Sequence, residues 1–205
     1  MNTYTKSIKE YKWLFIFTLA YLTPFTYYFI SKGDGEFVWY ILIVIGLFLL
    51  VFGTLPVSKF NKGIVWTLSI WALLHLAGGG VKVGEGVLYG VQLLPLYNGE
   101  GEMILLKYDQ VVHAFGFGIC AYIAFHFLKR YVNNPYRFGV YAIAALAGIG
   151  FGVLNEIAEF IAVLSFQNTG VGGYVNTLLD LVFNTIGSVC AMMFVWWKNL
   201  ERNLN

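Results

Sequence analysis

QVVHAFGFGICAYIAFHFL, residues Gln110 to Leu128, runs for 19 positions without a lysine, arginine, aspartate or glutamate. Coiled as an α-helix at 1.5 Å per residue it is about 28 Å long, close to the thickness of the hydrocarbon core of a bilayer. Apolar stretches of similar reach occur near Trp13 to Ile30, Phe37 to Val57, Gly63 to Ala77, Phe138 to Phe166 and Thr177 to Trp197, punctuated by glycine, proline, asparagine and charge. The pattern predicts an all-α, polytopic integral membrane protein, a bundle of about six transmembrane helices, with residues 1–205 as a single transmembrane domain.

Composition points the same way. Of 205 residues, 59% are hydrophobic and 12% are charged, against about 25% charged in ordinary soluble domains, and the mean hydropathy is +0.69. With 13 Lys+Arg and 11 Asp+Glu there is too little charge to cover a soluble surface, so membrane lipids must cover most of the chain. A net charge of +2 without a concentrated basic face excludes nucleic acid as a partner. Cys120 and Cys190 both sit in apolar runs and read as small buried hydrophobes. Lys6, Lys9 and Lys12 precede the first span, and no small-residue cleavage site follows within it, so that span reads as an uncleaved membrane helix.

Short loops rich in lysine and arginine stay in the cytoplasm. Lys6, Lys9 and Lys12 lie before the first span, Lys59 and Lys62 in the second loop, Lys129, Arg130 and Arg137 in the fourth, and Lys198 and Arg202 after the last span. These are ten of the 13 basic residues; only Lys32, Lys82 and Lys107 fall in the odd-numbered loops. The expected location is the cell (plasma or inner) membrane, with both termini cytoplasmic. The third loop, from about Gly78 to Asp109, carries apolar patches such as VLYGVQLLPLY and MILL. Its glycine and proline argue against another span. Two readings stay open for it, a lid on the outer interface, where Tyr89, Tyr97 and Tyr108 would sit well, and an irregular loop.

Polar groups inside spans are expensive, by at least about 2.5 kcal/mol each on insertion scales, and normally face the bundle interior. Here His75 lies near the end of the third span, Asp109 and His113 open the fourth, Asn155, Glu156 and Glu159 lie in the fifth, and Asp180 and Asn184 open the sixth. Separations of four, three and four residues put Asp109 with His113, Glu156 with Glu159, and Asp180 with Asn184 on one face of their helices. Because the spans alternate in direction, all these pairs fall in the outer half of the membrane. Gly148 and Gly152 form a small-xxx-small ridge, and Gly116, Gly118 and Gly187 permit close helix approach.

Four carboxylates cannot all remain ionised in a low-dielectric pocket, so either some hold protons or a cation neutralises them. Oxygen and imidazole ligands suit Zn, Mn or Fe, and an oxygen-only subset suits Mg or Ca. Asp109, His113, Glu156 and Asp180 are the candidate ligands of a divalent metal; His75, Asn155 and Asn184 are candidate ligand-binding residues; Glu159 is the candidate general base if the site is hydrolytic. A hydrogen-bonded cluster that fixes helix register, and a proton or cation pathway, remain open beside it. His126, among Phe125, Phe127 and Lys129, reads as interfacial and outside the site.

At these same positions the sequence resembles the VanZ-like membrane proteins and, more closely, the YjdF-type inner-membrane family. YDQVVHAFGFG (Tyr108 to Gly118) is similar to a Tyr-Asp-x-x-x-His-x-x-x-Gly segment, NEIAEF (Asn155 to Phe160) to Glu-x-x-Glu, and DLVFNTIG (Asp180 to Gly187) to the VanZ-like Asp-x-x-x-Asn-x-x-Gly. His75 with Gly78 looks like the YjdF-type His-x-x-Gly. The resemblance covers roughly residues 72 to 192 and implies a polytopic cell-envelope protein of bacterial or archaeal type, with VanZ relatives linked to glycopeptide (teicoplanin) resistance. Asn176 stands where YjdF-type proteins tend to carry an acid, no arginine precedes Asp180, and Glu159 replaces the glutamine of the VanZ-like Glu-x-x-Gln. The reading that joins residues and resemblance is a polar pocket in the extracytoplasmic half that binds a divalent cation, a polar lipid or an envelope precursor. A proton- or cation-coupled transporter and a purely structural membrane protein are the alternatives. The charge pattern is checked by reporter fusions. A phosphatase active only outside the cytoplasm is expected to work when inserted at Gly170 and to be silent after Lys198, and the reverse result would invert the orientation.

Overall fold

The computed structural model describes residues 11–97, 103–167 and 169–204; Lys6 and Lys9 lie outside them. Six helices follow the apolar stretches: α1 (Lys12–Lys32), α2 (Gly35–Ser58), α3 (Lys62–Gly80), α4 (Tyr108–Leu128), α5 (Phe138–Ser165) and α6 (Tyr174–Leu204). Each is long and apolar enough to cross a membrane, and the chain is an all-α, multi-pass membrane protein. No helix starts more than three residues from its expected position, whereas α6 runs on past Trp197 to Leu204. Large apolar side chains such as Leu49, Leu146 and Leu164 lie exposed on the helix surfaces, as a lipid solvent permits. Contacts group the chain into two compact units, Met1–Leu88 with Asn168–Gly170, and Tyr89–Gln167 with Val171–Asn205.

In the first unit, α1 and α2 are joined by Gly33 and Asp34 alone. Gly33 takes φ +65°, the left-handed conformation that ends a helix, and the N–H groups of Gly33 and Asp34 donate to the Ile30 and Phe29 carbonyls. Asp34 then caps α2 by accepting from the Phe37 N–H at 3.1 Å. Asn61 caps α3 in the same way, accepting from the Ile64 N–H at 2.9 Å. Phe29 stacks on Phe37 with ring centroids 4.4 Å apart, and a Cβ at Gly79 would collide with the Phe37 ring. Between α1 and α3, the Ser69 hydroxyl lies 2.7 Å from that of Thr18 and 3.1 Å from that of Tyr21. Glu36, in the first turn of α2, accepts from the Gly170 N–H at 2.6 Å and from the Tyr40 hydroxyl at 3.3 Å.

The described residues between α3 and α4 are neither a span nor an irregular loop. They form two antiparallel hairpins, β1 (Lys82–Val83) with β2 (Gly86–Val87) in the first unit, and β3 (Gln92–Tyr97) with β4 (Met103–Lys107) in the second. The QLLPLY half of the first apolar patch is β3, its VLYG half spans the end of β2 and a 3-10 turn (Leu88–Gly90), and MILL lies in β4. Pro95 sits opposite Leu105, which a two-stranded ladder accepts because each strand keeps one open edge where a missing N–H does no harm.

In the second unit, α4 packs on both α5 and α6, and α5 on α6. Small residues set these spacings. A Cβ at Gly187 of α6 would run into the Ala114 carbonyl of α4, and one at Gly148 of α5 would lie 2.6 Å from Ser188 Oγ and 2.8 Å from the Ala121 methyl. Ser188 Oγ donates to the Phe117 carbonyl at 3.1 Å, adding a buried bond between α4 and α6. Toward the far end of these helices Ala121, Phe125, Tyr141, Ala144, Ala145 and Met192 form an apolar core. Gly187→Ala is expected to lower stability by about 1–3 kcal/mol through overpacking, read as an earlier thermal transition in detergent. Gly150→Ala, where a Cβ meets nothing within 4 Å, should leave the transition in place; equal effects would remove the close-approach account.

Candidate functional site

Asp109 and His113 occupy the first two turns of α4, Glu156 and Glu159 the last third of α5, and Asp180 and Asn184 the second and third turns of α6. Antiparallel packing brings these ends together, and the glycine contacts one or two turns further along set the separation. Gly152 lies under Asn184, where a Cβ would come within 2.7 Å of Nδ2. The other five side chains converge on His113. Its Nδ1 lies 3.0 Å from Asn184 Oδ1 and 3.5 Å from Glu156 Oε1; its Nε2 lies 3.6 Å from Asp109 Oδ1 and 3.9 Å from Glu159 Oε1.

An amide oxygen cannot pair with a bare imidazole nitrogen, so in this arrangement Nδ1 carries the proton and donates to Asn184. Nε2 then faces Asp109 and Glu159. This is the orientation that a metal-ligating histidine takes when a neighbour holds its other nitrogen. Asn155, one of the candidate ligand-binding residues, spends its amide on Glu159, donating from Nδ2 to Oε1 at 2.8 Å. His75 belongs to the first unit, where its ring meets Tyr40 edge-on at 5.2 Å and lies 6.4 Å from Phe37. His126 is buried at the other end of α4, its Nε2 2.7 Å from Arg130 Nη2.

Three further residues complete the cluster that spacing alone did not single out. Gln110, fully buried, donates from Nε2 to Asp180 Oδ1 at 3.3 Å and accepts the Lys107 N–H at 2.6 Å. Asn176 donates from Nδ2 to Asp180 Oδ2 at 2.6 Å and to Asp109 Oδ2 at 3.2 Å. Lys107 Nζ donates to Asn176 Oδ1 at 3.1 Å. Position four before Asp180 was the available signal for Asn176, since i and i+4 share a face; Gln110 sits three before His113 in the same sense.

Two overlapping groups have metal-ligand character, Asp109 with His113 and Asp180, and His113 with Glu156 and Glu159; within each, one ligand atom per residue lies within 4.8 Å of the others. Ligand atoms of a tetrahedral ion with bonds of about 2.0–2.2 Å stand about 3.4 Å apart, so a group at the 4.8 Å limit has to draw in by about 1.4 Å to grip one. Glu156 stands apart from the rest. It is 8% exposed, and neither of its oxygens accepts a hydrogen bond, although the Asn155 and Asn184 amides lie near it; the Nδ2 of Asn184 is likewise buried without an acceptor. Buried carboxylate oxygens are seldom left so.

Asn184→Leu removes the acceptor of the His113 ring and leaves that ring buried without it. The expected loss is about 1–3 kcal/mol, measured by thermal shift in detergent, and an unchanged transition would show that the ring is held by something else.

A family model described as "Predicted membrane protein (DUF2238)" matches residues 13–200. No curated protein and no solved structure matches the chain.

Proposed function

The chain belongs to the predicted membrane protein family DUF2238, the group that holds the YjdF-type proteins, and from that premise we propose that it binds a divalent cation in the polar pocket centred on His113. Asp109, His113 and Asp180 supply ligands in one group and His113, Glu156 and Glu159 in the other, and Asn184 holds the imidazole from behind. The observation that carries this reading is Glu156, a carboxylate buried beside a histidine and within reach of Glu159 with no hydrogen bond to either oxygen. A cation supplies the missing counter-charge and the missing coordination together. Mixed oxygen and imidazole donors favour Zn or Mn over Mg or Ca.

The wider setting belongs to the same proposal. The protein is a cell-envelope protein of the cell membrane, distantly VanZ-like, with both termini in the cytoplasm and the pocket toward the outer leaflet. A polar lipid or envelope precursor is the ligand class that would meet a cation there, since lipid headgroups lie at that depth. If the site is hydrolytic, Glu159 is the base, because its Oε1 lies on the Nε2 side of His113. The transporter reading needs a polar path along the far half of α4, α5 and α6, and those helices bury Phe125, Tyr141 and Met192 against one another there. The structural reading draws on the Gln110, Asn176 and Asp180 bonds, which are already made without any ion.

The test is metal content by inductively coupled plasma mass spectrometry on protein purified in mild detergent. Stoichiometric Zn or Mn is expected in the wild type and is expected to fall away in monodisperse Asp109→Ala and Glu156→Ala variants. A well-folded wild type that holds no metal after incubation with Zn or Mn returns the cluster to the structural reading.

A further inference from the structure

The outer side of the site is closed by an amide. Asn176, in the first turn of α6, places its Nδ2 between two carboxylates from different helices, 2.6 Å from Asp180 Oδ2 and 3.2 Å from Asp109 Oδ2. That is the position in which a cation shared by Asp109 and Asp180 would be attracted, and the amide hydrogens occupy it with the positive end of a neutral dipole. The negative end is held in turn, since Asn176 Oδ1 accepts from Lys107 Nζ at 3.1 Å. Lys107 is anchored through its own backbone, whose N–H donates to Gln110 Oε1 at 2.6 Å, and it is the last residue of β4. The chain of contacts therefore runs from the second hairpin through Lys107 and Asn176 onto the carboxylate pair.

We infer that Asn176 and Lys107 form a displaceable cap over the cation site, in which the Asn176 amide competes with the ion for Asp109 and Asp180 and the Lys107 charge opposes its arrival. This rests on the cation-binding reading given above, and on Glu156 as the independent sign of a ligand. The cap is not a ligand set. An amide nitrogen has no lone pair to give a metal, so Asn176 must withdraw Nδ2 before an ion can bridge the two aspartates. The competition has a direction. Loss of the amide or of the lysine charge makes binding tighter, whereas loss of a ligand makes it weaker.

The experiment is a titration of free Mn2+, followed by its electron paramagnetic resonance signal, with full-length protein in nanodiscs, repeated with Zn2+ as competitor. Asn176→Ala frees the carboxylate pair, Asn176→Asp keeps the side-chain size and replaces the donor by a further carboxylate, and Lys107→Gln removes the charge while keeping a donor for Oδ1. Lys107→Gln is expected to raise affinity at least about fivefold, the lower limit set by removing one unit charge about 8 Å from a divalent ion in a water-like dielectric. Asn176→Asp is expected to raise it further and to make the thermal transition depend on Mn2+, because three clustered carboxylates repel one another without an ion. A wild type that binds, with all three variants unchanged or weaker, overturns the cap and leaves cation binding intact. A wild type that does not bind, with Asn176→Asp or Lys107→Gln binding, keeps the cap and removes the wild-type cation reading. No binding by any of the four overturns both.

Discussion

The carbonyl of Ala114 lies against the α-carbon of Gly187, in a space that a methyl group would fill. His113 directly precedes Ala114, and Asn184 lies three residues before Gly187, so this contact sets the distance across which the imidazole meets the amide. Were α4 and α6 held apart by even a small side chain, the 3.0 Å bond between His113 and Asn184 would open and the ring would lose its fixed tautomer. Gly152 does the same for α5, letting it lie against Asn184. The polar site is thus a consequence of backbone packing, and in lipid, where no water drives helices together, it is the small residues that make such packing favourable.

Much of this was legible in the sequence for a simple reason. Hydropathy reports a helix long enough to span, and polar spacing within a helix reports a shared face; both are local properties, so the six helices and the pairs Asp109 with His113 and Asp180 with Asn184 emerge directly. The hairpins were not legible because QLLPLY and MILLK are apolar on successive residues and lack the alternation that marks a strand, and because their pairing is decided by contact between segments. Asn176 registered only as a residue where an acid is usual in the resembling family. Its role depends on Lys107, 69 residues away, and no local pattern joins the two. His75 shows the converse, a histidine singled out for its place in a span whose ring packs with the aromatic rings of its own unit.

Electrostatics gives the cluster its character. Asp109, Glu156, Glu159 and Asp180 stand around one imidazole, and Lys107 is the cation that reaches them through Asn176. Protein around the site supplies less dielectric response than water, so charges of one sign there repel more strongly than they would at a solvated surface. Asp180 and Asp109 are quieted by amide donors from Gln110 and Asn176, and Glu159 by Asn155, whereas Glu156 has the flank of the His113 ring and the nearby Asn155 and Asn184 amides without a formed hydrogen bond. The site is therefore uneven, satisfied at its rim and unsatisfied at its floor.

The two-residue junction between α1 and α2 bears on how the protein is made. Gly33 and Asp34 leave no slack between the folded helices. In the bilayer the pair stands as one helical hairpin, and whichever way the first span faces, the second runs in the opposite direction. The Thr18, Tyr21 and Ser69 hydroxyls then stay without their final bonds until α3 is synthesised. The first unit is for that interval an intermediate with an exposed polar seam, the kind of segment that membrane insertases and quality-control proteases recognise.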